Sequence, residues 1–213
     1  MVQILLLLTF AGCQAHIPRD TLHQLSAEYD LPRRKVRRFY SGIEVAEAAE
    51  GLIGASRFRT GGRSHRYDCS GFVNAAYARV GIDLEGLNSA ALFERAKKEG
   101  LLHRRRVPRP GDVVFFDNTW DKNGDRRFND PLTHVAVVEK IDEDGTITMV
   151  HKGSRGVTRT MMNLRHRRVH KAEGVLLNSF LRRRSSSDRR RVRHLTGELW
   201  RGFASFWKND SEG

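Results

Sequence analysis

The sequence predicts an α+β domain, and three observations carry that prediction. An apolar stripe of Phe72, Val73, Ala76, Tyr77 and Val80 recurs at helical period and begins at Cys69. Beyond residue 110, three short apolar runs are separated by turn signals, as in an antiparallel meander. At 213 residues and 39% hydrophobic, the chain supports one domain with a real core, plus tails.

The elements follow in order. Residues 16–43 form a basic linker with a short helix, and residues 44–55 carry the pattern of a first amphipathic helix. The next helix starts at Asp68-Cys69-Ser70-Gly71-Phe72. Asp68 is placed to cap it, which puts Cys69 in the first turn, where free N–H groups and the helix dipole stabilise a thiolate. A thiol with pKa about 8.5 is only a few per cent ionised at neutral pH, and one lowered to about 6 is mostly thiolate. An isolated cysteine is more often a small buried hydrophobe. Ser70 and Gly71 speak against that here, because a purely structural helix gains more from Ala or Leu. Residues 89–99 give another helix.

Pro110-Gly111 launches the strand 112–116. After a polar excursion come the strand 134–141, a turn at Asp144-Gly145, and the strand 146–151. His134 opens one strand and His151 closes the next, so a hairpin brings both imidazoles to one end of the sheet. With Cys69 delivered to that end, His134 is placed as general base and His151 as the group that fixes its tautomer. A zinc site made from the same three side chains is the competing chemistry.

The excursion at 117–131 holds oxygen side chains at alternate positions, as the first half of an EF-hand loop does. Asp121, Asn123 and Asp125 would offer side-chain oxygens, Arg127 its carbonyl and Asp130 a closing carboxylate to calcium. Gly124 is early and no glutamate stands at the twelfth position. A solvated Asp/Asn/Gly turn is the alternative.

These motifs resemble the NlpC/P60 family of cell-wall cysteine peptidases, whose core is papain-like. D-C-S-G-F-V at 68–73 is similar to its nucleophile motif, R-P-G-D-V-V-F-F at 109–116 to its central strand and T-H-V-A-V-V at 133–138 to its base-bearing strand. V-H-K-G-S-R-G-V at 150–157 is similar to the segment carrying its third polar residue. The resemblance spans residues 44–178, and the domain it implies is 44–180. It departs from the family pattern in the stretch from Gly61-Gly62 to Asp68 and in the long interval from Cys69 to His134.

The resemblance implies a papain-like core with N-terminal helices on an antiparallel sheet, and a peptidase that cuts amide bonds in peptidoglycan stem peptides with Cys69, His134 and His151. It places Asp68 and Ser70 at the substrate's free amine, although Asp68 serves equally as a helix cap. No cofactor is required, and a structural calcium ion is the one candidate. Two alternatives stand beside it: a CHAP-like amidase or endopeptidase, and an inactive wall-binding lipoprotein.

The flanks fit an exported protein acting as a monomer. Residues 2–10 form a short apolar run, too short to span a membrane and suited to a signal, ending in Ala11-Gly12-Cys13. Residues 1–15 thus resemble a lipoprotein signal in which Cys13 is lipidated, on the periplasmic side of the outer membrane in a Gram-negative cell. Cys13 and Cys69 are the only cysteines, so a lipidated Cys13 leaves Cys69 unpaired. The formal charge of +13 gathers in arginine runs and implies polyanionic partners. The setting ranks anionic envelope polymers or membrane above nucleic acid. Residues 181–213 read as a basic, low-complexity tail, with Val192, Leu195, Leu199, Phe203 and Phe206 spaced as an amphipathic helix, either for a membrane surface or docked back on the domain.

Overall fold

The computed structural model describes residues 33–184, 188 and 192–211, with side chains from residue 42 to residue 208. The expected signal segment 1–15, Cys13 and most of the 16–43 linker lie outside the described residues. Contacts divide the chain into Met1–Val36 and Arg37–Gly213, and the second unit is the folded body.

Helix α1 (Arg33–Glu50) starts inside the stretch read as linker and ends five residues before the predicted boundary. A small hairpin of β1 (Phe58–Thr60) and β2 (Arg63–His65) follows, then α2 (Cys69–Arg79) and α3 (Ser89–Lys98). The remaining strands are β3 (Leu102–His103), β4 (Val113–Phe116), β5 (His134–Ile141), β6 (Thr146–Gly153), β7 (Gly156–Asn163), β8 (Lys171–Ala172), β9 (Val175–Leu176) and β10 (Trp200–Ala204). A one-turn helix α4 (Thr196–Leu199) precedes β10, and a 3-10 turn (Phe206–Ser211) follows it.

The main sheet is antiparallel with order β3-β10-β4-β5-β6-β7. Its central strands are buried on both faces, which is why they appear in the sequence as continuous apolar runs rather than alternating ones. Val113, Phe115, Val135, Val137 and Val150 face one core with Val45, Ala49, Phe72, Val73 and Tyr77 of the helices. Val114, Phe116, Ala136, Val138 and Met149 face a second core closed by Leu199 and Phe203. The α+β class and the meander β4-β5-β6 are those the sequence predicts.

The C-terminal reading is corrected. Trp200–Ala204 is a strand hydrogen-bonded on both sides, to β3 and to β4, and Phe203 is fully buried. No amphipathic helix spans 192–207. The apparent helical period arises because a helical turn, a strand with a bulge between Trp200 and Gly202, and a 3-10 turn follow one another in a few residues. Short apolar spacings of this kind fit a helix and a mixed path equally well. The folded body therefore runs past residue 180. Arg182 belongs to it too, donating to the Asn118 carbonyl at 2.7 Å and lying over the Phe128 ring.

A buried carboxylate ties this C-terminal segment down. Asp112 is fully buried and accepts hydrogen bonds from the Arg109 amide, Ser205 Oγ and Trp207 Nε1, with His103 Nε2 at 3.1 Å. A buried carboxylate left without partners costs several kcal/mol, so each of these groups stabilises the others' placement.

Candidate active site

Cys69 is the first residue of α2. Asp68 caps the helix, accepting from the Gly71 amide at 2.7 Å, and it also accepts from Ser70 Oγ at 2.9 Å. Arg66 closes the cluster, donating to Ser70 Oγ at 3.0 Å and pairing with Asp68 at 3.3 Å. The two residues predicted to bind substrate, Asp68 and Ser70, are thus bonded to each other, and the capping role of Asp68 is the one the structure displays. Gly71 is required by close approach: a Cβ there would lie 1.8 Å from the Arg66 carbonyl oxygen.

Helix α2 packs on β5 and β6, and the Val135 backbone is near enough to act on the Cys69 thiol. This sets the thiol against the first residues of β5, where His134 stands. His134 Nε2 and His151 Nδ1 are 2.8 Å apart, so the hairpin does bring both imidazoles together. Among the described residues Cys69 and His134 are not hydrogen-bonded to each other; such contacts often tighten only when substrate binds. The glycine two residues past His151 is also structural, since a Cβ at Gly153 would lie 3.0 Å from the imidazole ring.

The electrostatics correct one expectation. Burial pushes the Cys69 thiol up; the Val135 amide pulls it back, the Asp68 charge adds to the rise, and the amides of Ser70 and Cys69 itself oppose it. The raised value keeps Cys69 a thiol at neutral pH. Burial, with the charges of His151 and Lys152, holds His134 well below its ordinary value. Burial, Arg155 and Lys152 bring His151 down to about 4. Both imidazoles are therefore neutral at pH 7. The tautomer in which His134 Nε2–H donates to His151 Nδ1 leaves His134 Nδ1 as an acceptor.

Two neighbours of the site escaped the sequence reading. Tyr67 donates to the Ala55 carbonyl at 2.7 Å, and Lys152 Nζ lies 4.6 Å above its ring. Their signal was adjacency, each standing next to a site residue in chain order. The calcium reading fares differently at its two ends. Asp121 accepts from the amides of Gly124 and Arg126, Asn123 from that of Asp125, and Asp125 from that of Arg127, making one tight loop. Asp130 is buried beside Asn118, and Asp121, Asp125 and Asp130 do not converge: among the described residues no three His, Cys, Asp or Glu do. Cys69, His134 and His151 are likewise not among such groups in the described residues.

Residues 60–153 match the family model of the CHAP domain, a range that contains Cys69, His134 and His151. Peptidoglycan DL-endopeptidase CwlO of Bacillus licheniformis is 32% identical over 93 residues, covering 39% of this chain and 20% of the relative. The chain thus spans about a fifth of the length of that curated relative. No solved structure matches.

Proposed function

We propose that this protein is a peptidoglycan hydrolase that cleaves an amide bond by cysteine chemistry. The observation that carries the reading is the 2.8 Å bond between His134 and His151 at the start of β5, the strand against which the helix begun by Cys69 packs. The CHAP match and the likeness to a peptidoglycan endopeptidase support the substrate class.

In this mechanism His134 Nδ1 takes the Cys69 proton as sulfur attacks the substrate carbonyl. His151 stabilises the resulting imidazolium by accepting from its Nε2–H. The oxyanion is held by amides at the start of α2. Collapse breaks the C–N bond, His134 returns its proton to the leaving amine, and water then releases the acid from the thioester. The chemistry needs no cofactor.

Finer features belong to the same proposal. The enzyme is an endopeptidase of the NlpC/P60 type with its papain-like arrangement, exported, monomeric and lipidated at Cys13. Its partner is an anionic envelope or membrane surface met by the basic C-terminal stretch, of which residues 185–187 and 189–191 lie outside the described residues. Calcium in the excursion would use Asp121, Asn123, Asp125 and the Arg127 carbonyl without Asp130, and calorimetry at millimolar calcium tests it.

Mass spectrometry of digested muropeptides is the deciding experiment for the reaction. Products cut within the stem support the endopeptidase, and release of whole stems from the glycan supports the CHAP-like amidase. No product, or equal product from Cys69→Ser, leaves the inactive wall-binding protein.

A further inference from the structure

Two arginine runs that the reaction does not use meet on one indole. Arg104 follows β3, Arg167 lies between β7 and β8, and their guanidinium carbons stand 5.8 and 5.3 Å from the ring centre of Trp200, the first residue of β10. Each guanidinium is also locked at its inner nitrogen. Arg104 Nε donates to the Arg201 carbonyl at 3.0 Å and Arg167 Nε to the Gly197 carbonyl at 2.7 Å, which leaves the terminal Nη groups of both forks for a ligand. Both side chains are exposed, and neither enters an ion pair among the described residues. Burial lowers the proton affinity of Arg167, and the charges of Arg104, Arg106 and Arg168 lower it further. Glu198 opposes them, but it is already paired with Arg193 at 3.7 Å. Like charges from two distant stretches of chain are thus gathered at one place.

We propose that Arg104 and Arg167, held on Trp200, form a phosphate-binding site that docks the folded body on a phosphodiester polymer without bases. The site is separate from the catalytic cluster and does not depend on the hydrolase reading. A planar guanidinium matches two phosphate oxygens at once, and a fork fixed before binding loses little freedom in doing so. Arg106 and Arg168, which act on Arg167, extend the positive charge toward neighbouring phosphates. Nucleic acid fits less well. Trp200 is taken up by two guanidinia and by the Phe203 ring at 5.3 Å, so it is not a stacking platform for a base. A bilayer also carries phosphates, but its mobile headgroups respond to net charge and have no need of fixed forks.

The probe is a glycerol phosphate oligomer, titrated into the full chain by calorimetry at two salt concentrations. It should bind, and more weakly as salt rises. Arg104→Lys with Arg167→Lys keeps the net charge and should lower the affinity about tenfold or more, whereas Arg105→Lys should change it little. Thermal unfolding checks that the double variant is folded. Should it not be, phenylglyoxal modification of the unsubstituted protein takes its place, and the oligomer should shield Arg104 and Arg167 more than Arg105. No binding of the oligomer, undiminished affinity in the double lysine variant, or equal shielding of the three arginines overturns the site. Tighter binding to phosphatidylglycerol vesicles than to the oligomer makes this face a membrane surface, and tighter binding to a single-stranded oligonucleotide of equal charge makes it a nucleic-acid surface. Either result also overturns the proposal.

Discussion

His134 and His151, seventeen residues apart, share a hydrogen bond between Nε2 and Nδ1 at 2.8 Å. The bond assigns an order to the two rings. Because Nε2 of His134 is occupied, only Nδ1 remains to face a proton donor, and His151 acts on the reaction through His134.

The order predicts unequal effects. His134→Ala should lower kcat by about 10²–10⁴, the usual range for a positioned general base. His151→Ala should cost less, and His151→Asn less still, because its side-chain carbonyl can accept the same N–H. Steady-state kinetics on a stem peptide checks the series. Equal losses in all three variants would show that His151 does more than orient.

The thiol and imidazole shifts predict a pH signature. With the Cys69 thiol raised by burial, iodoacetamide should react slowly at pH 7 and faster as pH climbs through the alkaline range. A fast plateau already present near pH 5 would mean that a thiolate–imidazolium pair exists at rest. For stability the sign runs the other way. Both histidines have folded values below their unfolded one, so the unfolded chain binds more protons and stability falls as pH drops below about 6.5. For His151 that loss spans the interval from 6.5 to about 4. Melting temperatures across this interval should flatten in His151→Gln.

Much of this was legible in the chain because local signals agreed with the fold. Asp68 caps a helix whose stripe faces the core, and the Asp144-Gly145 turn sets a hairpin whose register carries His134 and His151 to one end. What stayed hidden depends on tertiary environment. Burial reverses the expected shift of Cys69, since desolvation outweighs the helix start. The part played by Asp112 was equally invisible, because its partners Ser205 and Trp207 lie over ninety residues away. The spacing of Asp121, Asn123 and Asp125 is met by a tight loop, but it did not show that Asp130 would be buried with its backbone amide donating to Asn118 Oδ1.

Gly71 offers a backbone test of the nucleophile's position. A methyl group at residue 71 meets the Arg66 carbonyl, a backbone atom that cannot rotate away. Gly71→Ala should cost about 3 kcal/mol or more, at or above the upper end for overpacking, and should displace Cys69 from Val135. Denaturant midpoints read the stability. Slower turnover in the fraction that remains folded reads the displacement.

The C-terminal strand gives the sharpest contrast between a tail and a structural element. A basic tail could be removed at residue 191 without harm to the domain. Strand β10 cannot, because it fills the place between β3 and β4, buries Phe203, and brings Ser205 and Trp207 to the Asp112 carboxylate. Truncation after residue 191 should therefore abolish cooperative unfolding and activity together. Trp207→Phe is the finer probe. It keeps most of the apolar volume but removes the Nε1–H, leaving one oxygen of a buried carboxylate with the Ser205 hydroxyl alone, at a cost of about 1–3 kcal/mol. Adding Asp112→Asn should recover part of that loss, since a neutral amide needs fewer donors than a carboxylate. A double-mutant cycle by urea unfolding measures the coupling, and additive effects would show that Trp207 stabilises the strand by packing alone.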